Sequence, residues 1–257
     1  MLTKKSKKMA IVIPLAVVIG FGGYMTLSGQ VHSLAGIEKE PQTVILSKDF
    51  PSTSDLNVMI DEADLVVIGH YNGLDSKWNM ARNPNNPSQE DTENYVEGHL
   101  YNFKISETIK GASDSKQIQV NHRFAETVVL EVSDAVVSPE GIVTKEATKV
   151  DMKEIENKDP LFIEPANGKK YMLFLKKNED LGSYYGAIEP FSISFDKNDK
   201  AELQTNIETI DEDSLTSQTQ FAEETFIVKN EIHETITDTI SGKSLKELIQ
   251  QVQKNSN

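Results

Sequence analysis

The sequence predicts a mainly β domain with minor α content, preceded by one transmembrane helix. Three observations support this fold class. Apolar and polar residues alternate along most of the chain, as they do in half-buried strands. Helical periodicity is confined to two short segments, one after residue 54 and one near the C-terminus. An uncharged run, Met9–Leu27, directly follows a lysine-rich N-terminus.

The N-terminal segment is interpreted as a signal-anchor. As a helix rising about 1.5 Å per residue, residues 9–27 would span about 28 Å, close to the hydrocarbon thickness of a bilayer. Four lysines within residues 1–8 favour a cytoplasmic basic tail and an extracellular C-terminal part. Ser33 and Ala35 offer small residues for a signal peptidase, so a secreted form cut near Ala35 is the alternative.

The exterior part divides into three predicted segments. Residues 28–42 form a short polar stalk, residues 43–213 a β-rich extracytoplasmic domain, and residues 214–257 a C-terminal extension with a helix. Apolar residues recur every four positions between 214 and 240, which fits a helix or a strand, while interspersed threonines favour a strand. The secondary structure there stays open.

Composition excludes several classes of function. The chain has no cysteine, so disulfides, thiol nucleophiles and thiolate metal sites are excluded. Beyond the tail lie 22 of the 26 basic residues and all 40 acidic residues, a net charge of −18. Such a surface repels nucleic acid and anionic lipid and attracts cations or a basic partner, or it simply keeps the domain soluble. We therefore expect no nucleic-acid binding.

The first elements after the stalk are a helix, a strand and a loop. Ser54 or Asp55 can cap a helix whose apolar residues recur at spacings of three and four, namely Leu56, Met59, Ile60 and Ala63. The β-branched run Leu65–Ile68, ended by Gly69, predicts a strand buried on both faces or closed into a barrel. Residues 79–94 are polar and contain two prolines, which predicts a long mobile loop.

Further strands and a final helix follow. Alternation within residues 98–111 and 117–123 predicts a hairpin, and residues 127–160 an insertion with a hairpin of its own. Residues 169–177 predict a core strand, followed by another strand and by a hairpin around Asp196–Lys200. The C-terminal helix is predicted by a capping box and by one apolar face. These residues are Ser244 and Glu247 for the box and Leu245, Leu248, Ile249 and Val252 for the face.

Three short segments carry a resemblance. ADLVVIG at 63–69, ETIKG at 107–111 and KKYMLFL at 169–175, in that order, resemble exported bacterial domains of the netrin-like type, related to tissue inhibitors of metalloproteinases. The resemblance covers Asp64 to about Asp196. It implies an OB-like, partly open antiparallel barrel with a long first connection and a middle insertion. Because the cysteines of the animal modules have no counterpart here, it does not imply protease inhibition.

The search for catalytic residues assigns none. The chain lacks GxSxG, HExxH, Walker and GxGxxG motifs, and EIHE at residues 231–234 lacks the second histidine of a metallopeptidase helix. His70, His99 and His122 would make a zinc site conceivable if their strands were neighbours, although ordinary polar strand positions are the simpler interpretation. No metal or cofactor residue is assigned on this basis.

Three polar features remain. Asp196, Asn198 and Asp199 present oxygen atoms as calcium sites do, but a plain hairpin turn explains them better. The densest acidic run, Glu208 with residues 211–213, is interpreted as a solvated loop, or else as a cation or partner site. Trp78, beside the predicted loop, either touches a partner or packs at the rim.

Together these features predict a membrane-anchored extracytoplasmic binding module without catalysis of its own. Its expected contact region is Trp78 with residues 79–94, and its expected partner is a basic or neutral protein of the cell envelope. The alternatives are a metal-dependent cell-envelope hydrolase that uses the three histidines and a calcium-responsive structural protein.

Overall fold

The computed structural model describes residues 25–28, 41–48, 50–133, 136–137, 143–145, 150–179, 181–207, 215–221 and 224–255. These residues form a mainly β structure with two helices, α1 (Leu56–Glu62) and α2 (Leu245–Asn255). The predicted class, mainly β with minor α, is confirmed.

The larger sheet contains eight strands. They are β3 (Leu65–Asn79), β6 (Val96–Lys110), β7 (Gln117–Ser133), β10 (Val150–Lys158), β11 (Lys170–Asn178), β12 (Ser183–Gly186), β13 (Ser192–Phe195) and β14 (Ala201–Leu203). Their order is β10-β7-β6-β3-β11-β13-β14, and β12 pairs both with β11, antiparallel, and with β7, parallel. The sheet therefore curls back on itself, because the pairings connect β3, β6, β7, β12 and β11 in a circuit.

A second sheet has four strands, in the order β1-β2-β16-β15. They are β1 (Met25–Ser28), β2 (Gln42–Lys48), β15 (Thr216–Phe221) and β16 (Glu224–Ile232). Two small hairpins complete the described strands. One joins β4 (Arg82–Asn83) to β5 (Asn86–Glu90), and the other joins β8 (Val136–Val137) to β9 (Val143–Lys145).

Strand alternation builds the core inside the circuit. Residues at every second position of β3, β6 and β7 point inward and are buried, among them Tyr71, Phe103 and Val120. Burying one such side chain contributes about 1.5–3 kcal/mol. The inward set thus stabilises the curled sheet and leaves its outer faces to bind other elements.

The two helices cover one outer face. Leu56, Met59 and Ile60 of α1, with Leu248 and Val252 of α2, pack against outward residues of β3 and β11. Both predicted N-terminal caps are confirmed. Of the two candidates for α1, the Asp55 carboxylate accepts from the Asn57 amide at 2.8 Å. For α2, the amide of Ser244 donates to the Glu247 carboxylate at 2.7 Å, and the Glu247 amide donates to the Ser244 hydroxyl at 3.3 Å.

The second sheet packs on the other side, against β7 and β10. Val44, Phe226 and Val228 share a buried cluster with Leu130 and Ile155. The sequence left the secondary structure of residues 214–240 undecided between helix and strand. In the described part of this segment the structure has strands β15 and β16. The C-terminal extension is divided between this sheet and the helical face of the larger one.

Three element predictions need correction. Gly69 does not end β3, because the strand continues to Asn79 through a register shift at Ile68/Gly69. A side chain at Gly69 would overlap the Lys104 carbonyl oxygen, so glycine marks a close approach of two backbones. Residues 79–94, predicted as a loop, contain the β4–β5 hairpin. The hairpin predicted within residues 127–160 is confirmed, since β7 extends to Ser133 and pairs antiparallel with β10, but it is continuous with the larger sheet and is not a separate insertion.

Several predictions fall on residues that the structure does not describe. The span Met9–Leu27 lies among them except for its last residues, 25–27, which belong to β1. The cleavage site near Ala35 and the acidic run from Glu208 to Asp213 also lie outside the described residues. Neither helix in the described part of the chain has the length and apolar character needed to cross a bilayer.

Candidate functional site

A groove of about 340 Å³ lies between the long β3–β6 connection and one face of β7 and β10. We call it the acidic groove. Its lining residues are Asn79, Asp91, Thr92, Glu93, Asn94, Tyr95, Thr127, Val129 and Glu154. It belongs in part to the segment 79–94 that the sequence singled out as a contact region.

Asn79 holds the wall of this groove in place. Its buried side chain donates to the carbonyls of Asp91 at 3.0 Å and Asn94 at 2.9 Å, and accepts from the amides of Ala81 and Val96, both at 3.0 Å. One side chain therefore satisfies four backbone groups of an irregular segment. These hydrogen bonds fix the backbone of the segment that forms the groove wall.

Three carboxylates, Asp91, Glu93 and Glu154, belong to the polar lining. Hydrogen bonds from the Asn94 side chain and from the amides of Glu93 and Asn94 hold the pKa of Asp91 below its usual value. Asp91 is therefore ionised at neutral pH. Glu93 and Glu154 add two exposed carboxylates to the lining. Three negative charges thus converge on one concave surface.

Apolar side chains continue the surface beyond the groove. Tyr95 and Val129, 43% and 38% exposed, belong to the lining, and Val150 and Met152 on β10 are 51% and 62% exposed. Val150 and Met152 precede Glu154 by four and two residues, so the three side chains share one face of β10. We call these four residues the apolar strip. Together with the acidic groove they form an amphipathic surface.

Trp78 does not line this surface. Its indole nitrogen donates to the Asn121 side chain at 2.7 Å, and the Arg82 guanidinium lies over the ring, 4.6 Å from its centroid. A Cβ at Gly98 would come within 2.6 Å of the indole nitrogen, so the ring packs directly on that glycine. Of the two sequence interpretations, the structure supports packing at the rim.

The structure brings together two of the three candidate histidines. His99 and His122 are cross-strand neighbours on β6 and β7, whereas His70 lies on β3 opposite Lys104. His99 and His122 belong to an aromatic–histidine cluster at one end of the curled sheet. Its members are Tyr71, His99, Tyr101, His122, Phe124, Phe162 and Phe191, with ring centroids 4.0–6.4 Å apart.

The ring nitrogens of both histidines have partners. His122 Nε2 lies 3.0 Å from the Tyr71 hydroxyl, and His99 Nε2 lies 2.7 Å from Glu97 Oε1. Burial, with a smaller effect of His99, lowers the pKa of His122 to about 3. Burial and the charge of Glu164 raise the pKa of Tyr101 to about 12. At neutral pH the His122 and Tyr101 rings are uncharged, which suits packing better than proton transfer.

Two further ionisable side chains, Arg123 and Glu189, lie near this cluster. The Arg123 guanidinium contacts Glu126 and, at 3.2 Å, the carboxylate of Asp159. The half-buried Glu189 side chain makes no hydrogen bond to the described residues. Burial and the negative charge of Asp159 raise the pKa of Glu189 to about 8. Glu189 was not predicted, because nothing in its local sequence signals burial.

Metal ligands do not converge in the described part of the chain, where no group of three histidine, aspartate or glutamate side chains could hold an ion. The candidate calcium residues form the predicted hairpin turn. Asp196 Oδ1 accepts from the amides of Asn198 and Lys200, both at 2.8 Å, and Asp199 pairs with the Lys170 ammonium at 2.6 Å. Glu231 of the EIHE segment belongs to β16 and not to a helix.

Comparison with protein-family models, with curated proteins and with solved structures finds no match for this chain. The sequence did not predict that the acidic groove and the apolar strip lie together on one surface. Their only local signal is that Val150 and Met152 alternate with charged residues, which by itself is typical of any half-exposed strand.

Proposed function

We propose that this chain is a membrane-anchored extracytoplasmic protein whose β domain is a non-catalytic binding module. The observation that carries the proposal is the amphipathic surface made by the acidic groove and the apolar strip. Exposed apolar side chains beside a concave charged surface are typical of an interaction site. The part of the uncharged run that precedes β1, residues 9–24, and the adjoining lysines support the anchor.

Binding is favoured over catalysis by the state of the candidate histidines. His122 is neutral and hydrogen-bonded to Tyr71, and His99 stacks on Phe124 with centroids 4.0 Å apart. A general base needs a lone pair that can reach a substrate proton, and it works best with a pKa near the working pH. His122, with a pKa of about 3 and its Nε2 at the Tyr71 hydroxyl, meets neither condition.

The strand pairings favour an OB-like barrel as the finer fold class. The circuit β3-β6-β7-β12-β11 has five strands and is joined by one parallel pair, β7 with β12. In such barrels the connection between the first two strands belongs to the ligand-binding surface. Here that connection is the segment between β3 and β6, which forms one wall of the acidic groove.

Protease treatment of intact cells tests the location. With an epitope tag at the C-terminus, we expect an added protease to remove the tagged domain before the membrane is permeabilised. A cytoplasmic protein of the same cells, probed in parallel, should stay intact. Digestion of the tagged domain only after lysis would refute the extracytoplasmic assignment.

Photo-crosslinking in intact cells tests the binding module. A photoreactive amino acid at Tyr95, inside the amphipathic surface, should yield a discrete adduct. The same substitution at Glu107, an exposed residue on β6, is the matched control and should not. Glu154→Lys should remove the Tyr95 adduct, because it reverses one charge of the groove. Equal labelling at Tyr95 and Glu107, or none at either position, would count against the proposal.

A further inference from the structure

We infer that the occupant of the amphipathic surface is an extended basic segment of a partner protein, with apolar residues at one end and lysine or arginine at the other. This inference rests on the proposed function and names its partner class. It follows from the order of side chains along β10 and from the charges around the acidic groove.

The order along β10 gives the ligand a direction. Val150, Met152, Glu154 and Glu156 occupy successive positions on one face of the strand, about 6.6 Å apart in a regular strand. Two exposed apolar residues are thus followed by two exposed carboxylates. A peptide in extended conformation has the same spacing between every second side chain, so it can match this sequence of apolar and acidic positions.

The negative charge around the acidic groove favours a ligand whose end in the groove carries lysine or arginine. Asp91, Glu93 and Glu154 line the groove, and Glu156 lies on the same face of β10. Two cations lie close to this face. Lys77 is paired with Glu97 at 2.8 Å and also interacts with Glu156, and Lys158, the next residue on the same face of β10, lies over the rings of Phe124 and Phe162. Neither lysine lines the groove, so Asp91, Glu93 and Glu154 leave the lining negatively charged. Complementary charge across an interface favours specificity and fast association.

The apolar strip selects against a purely ionic ligand. A free metal ion or a polyamine would engage the carboxylates but would leave Val129, Val150 and Met152 exposed to water. Covering apolar surface contributes about 25 cal/mol per Å², and a polypeptide can cover the strip and reach the groove together. Nucleic acid and anionic lipid bring negative charge to a surface that already carries it.

A designed peptide tests the inference with the full chain in nanodiscs of zwitterionic lipid. The probe is a fluorescent extended peptide with leucines at its first and third positions, lysines at its fifth and seventh, and threonine between them. We expect saturable binding, measured by fluorescence anisotropy, that weakens at least about tenfold between roughly 50 and 500 mM salt. A peptide with glutamine for lysine, and one with serine for leucine, should each bind at least about tenfold more weakly.

Variants of the protein locate the site. Glu154→Gln should weaken binding of the lysine peptide about threefold or more, and Met152→Ser by a similar factor. The matched controls are Glu107→Gln and Leu181→Ser, at an exposed carboxylate and an exposed apolar residue outside the surface, and they should leave binding unchanged. Equal binding of the glutamine peptide, or equal weakening by control and test variants, would overturn the inference.

The two proposals fail in different ways. If the Tyr95 adduct forms in cells but its contact segment in the partner is acidic or uncharged, the binding module stands and the basic ligand is wrong. Adducts to lipid or nucleic acid would also refute the basic ligand. If the Tyr95 and Glu107 positions label alike, the binding module itself is wrong, whatever the peptide does.

Discussion

Glu189 is a carboxyl group whose surroundings favour its protonated form. Its pKa in the folded chain is about 8, against 4.5 for an exposed glutamate, because of burial and then the charge of Asp159. The protonated group therefore stabilises the fold fully below about pH 4.5, and this contribution is lost as the pH rises through 8.

Replacing this carboxyl with an amide should remove that pH dependence. We expect Glu189→Gln to raise the urea midpoint relative to the parent protein at pH 8, by the equivalent of about 1–3 kcal/mol, and to change it much less at pH 5. The control Glu107→Gln should give the same difference at both pH values. An effect of Glu189→Gln that is equal at pH 5 and pH 8 would contradict a raised pKa.

His122 has the opposite dependence on pH. Its pKa is lowered to about 3 by burial and by His99, whereas the unfolded chain binds the proton near pH 6.5. Stability is therefore present above pH 6.5 and is lost as the pH falls toward 3, by up to about 1.4 kcal/mol per pH unit.

A glutamine at position 122 keeps a hydrogen-bonding group near the Tyr71 hydroxyl but cannot take up the proton. His122→Gln should therefore lose less stability than the parent protein between pH 6 and pH 4, measured by urea unfolding at several pH values. His70→Gln, outside the aromatic–histidine cluster, is the control and should follow the parent curve. Parallel curves for His122→Gln and the parent would mean that His122 does not titrate as its surroundings imply.

Sequence patterns predicted the strand face on which a side chain lies better than they predicted its hydrogen-bond partners. Alternation within residues 117–123 assigns Ile118, Val120 and His122 to one face of the strand, and in the structure that face points into the curled sheet. The partner of Asn79 could not be predicted, because its four hydrogen bonds reach backbone groups up to 17 positions away and carry no sequence signal. The same holds for Glu189, whose burial depends on distant residues.

The connection between β3 and β6 is held by one side chain, that of Asn79. Removing the Asn79 amide would leave two carbonyls and two amides of the connection, all at part-buried sites, without their side-chain partner. The cost of each unsatisfied buried group is about 1–3 kcal/mol, although water can satisfy some of them.

We expect Asn79→Ala to lower the free energy of unfolding by about 2–4 kcal/mol and to speed amide hydrogen exchange between residues 80 and 96. Asn85→Ala, at an exposed position of the same connection, is the matched control and should change neither. If Asn79→Ala leaves exchange in this segment unchanged, the acidic groove is not held by Asn79.

Local signals were sufficient for elements that depend on neighbouring residues. The capping box of Ser244 and Glu247 predicted the start of α2, and alternation predicted β6 and the first part of β7. The bulge at Gly69 was not predicted, because it requires the backbone of Lys104 on the neighbouring strand. The β4–β5 hairpin was missed because polar, proline-containing strands carry no apolar alternation.

The whole molecule depends on pairings that are distant in sequence. The parallel pair β2 with β16 joins Val44 to Val228, which no local pattern could reveal. Where the second sheet meets β10, Asn157 and Asn230 exchange two side-chain hydrogen bonds, at 2.9 and 3.1 Å, and both residues are buried. These amides link the second sheet to the sheet that carries the amphipathic surface.

A double-mutant cycle at this pair tests whether the two sheets unfold together. Asn157→Leu leaves the buried Asn230 amide with only its bond to the Leu215 carbonyl, at 3.3 Å, and Asn230→Leu leaves the Asn157 amide with only its bond to the Glu126 carboxylate, at 3.2 Å. Each variant alone should therefore cost about 1–3 kcal/mol. The double variant removes both polar groups, so its cost should be less than the sum of the two by about 0.5–3 kcal/mol. Urea unfolding monitored by Trp78 fluorescence and by far-UV circular dichroism should give one transition for the parent protein. The two sheets would be energetically independent if the free-energy costs of the single variants added exactly in the double variant. The same would follow if the urea midpoint measured by Trp78 fluorescence were the same in all three variants as in the parent protein.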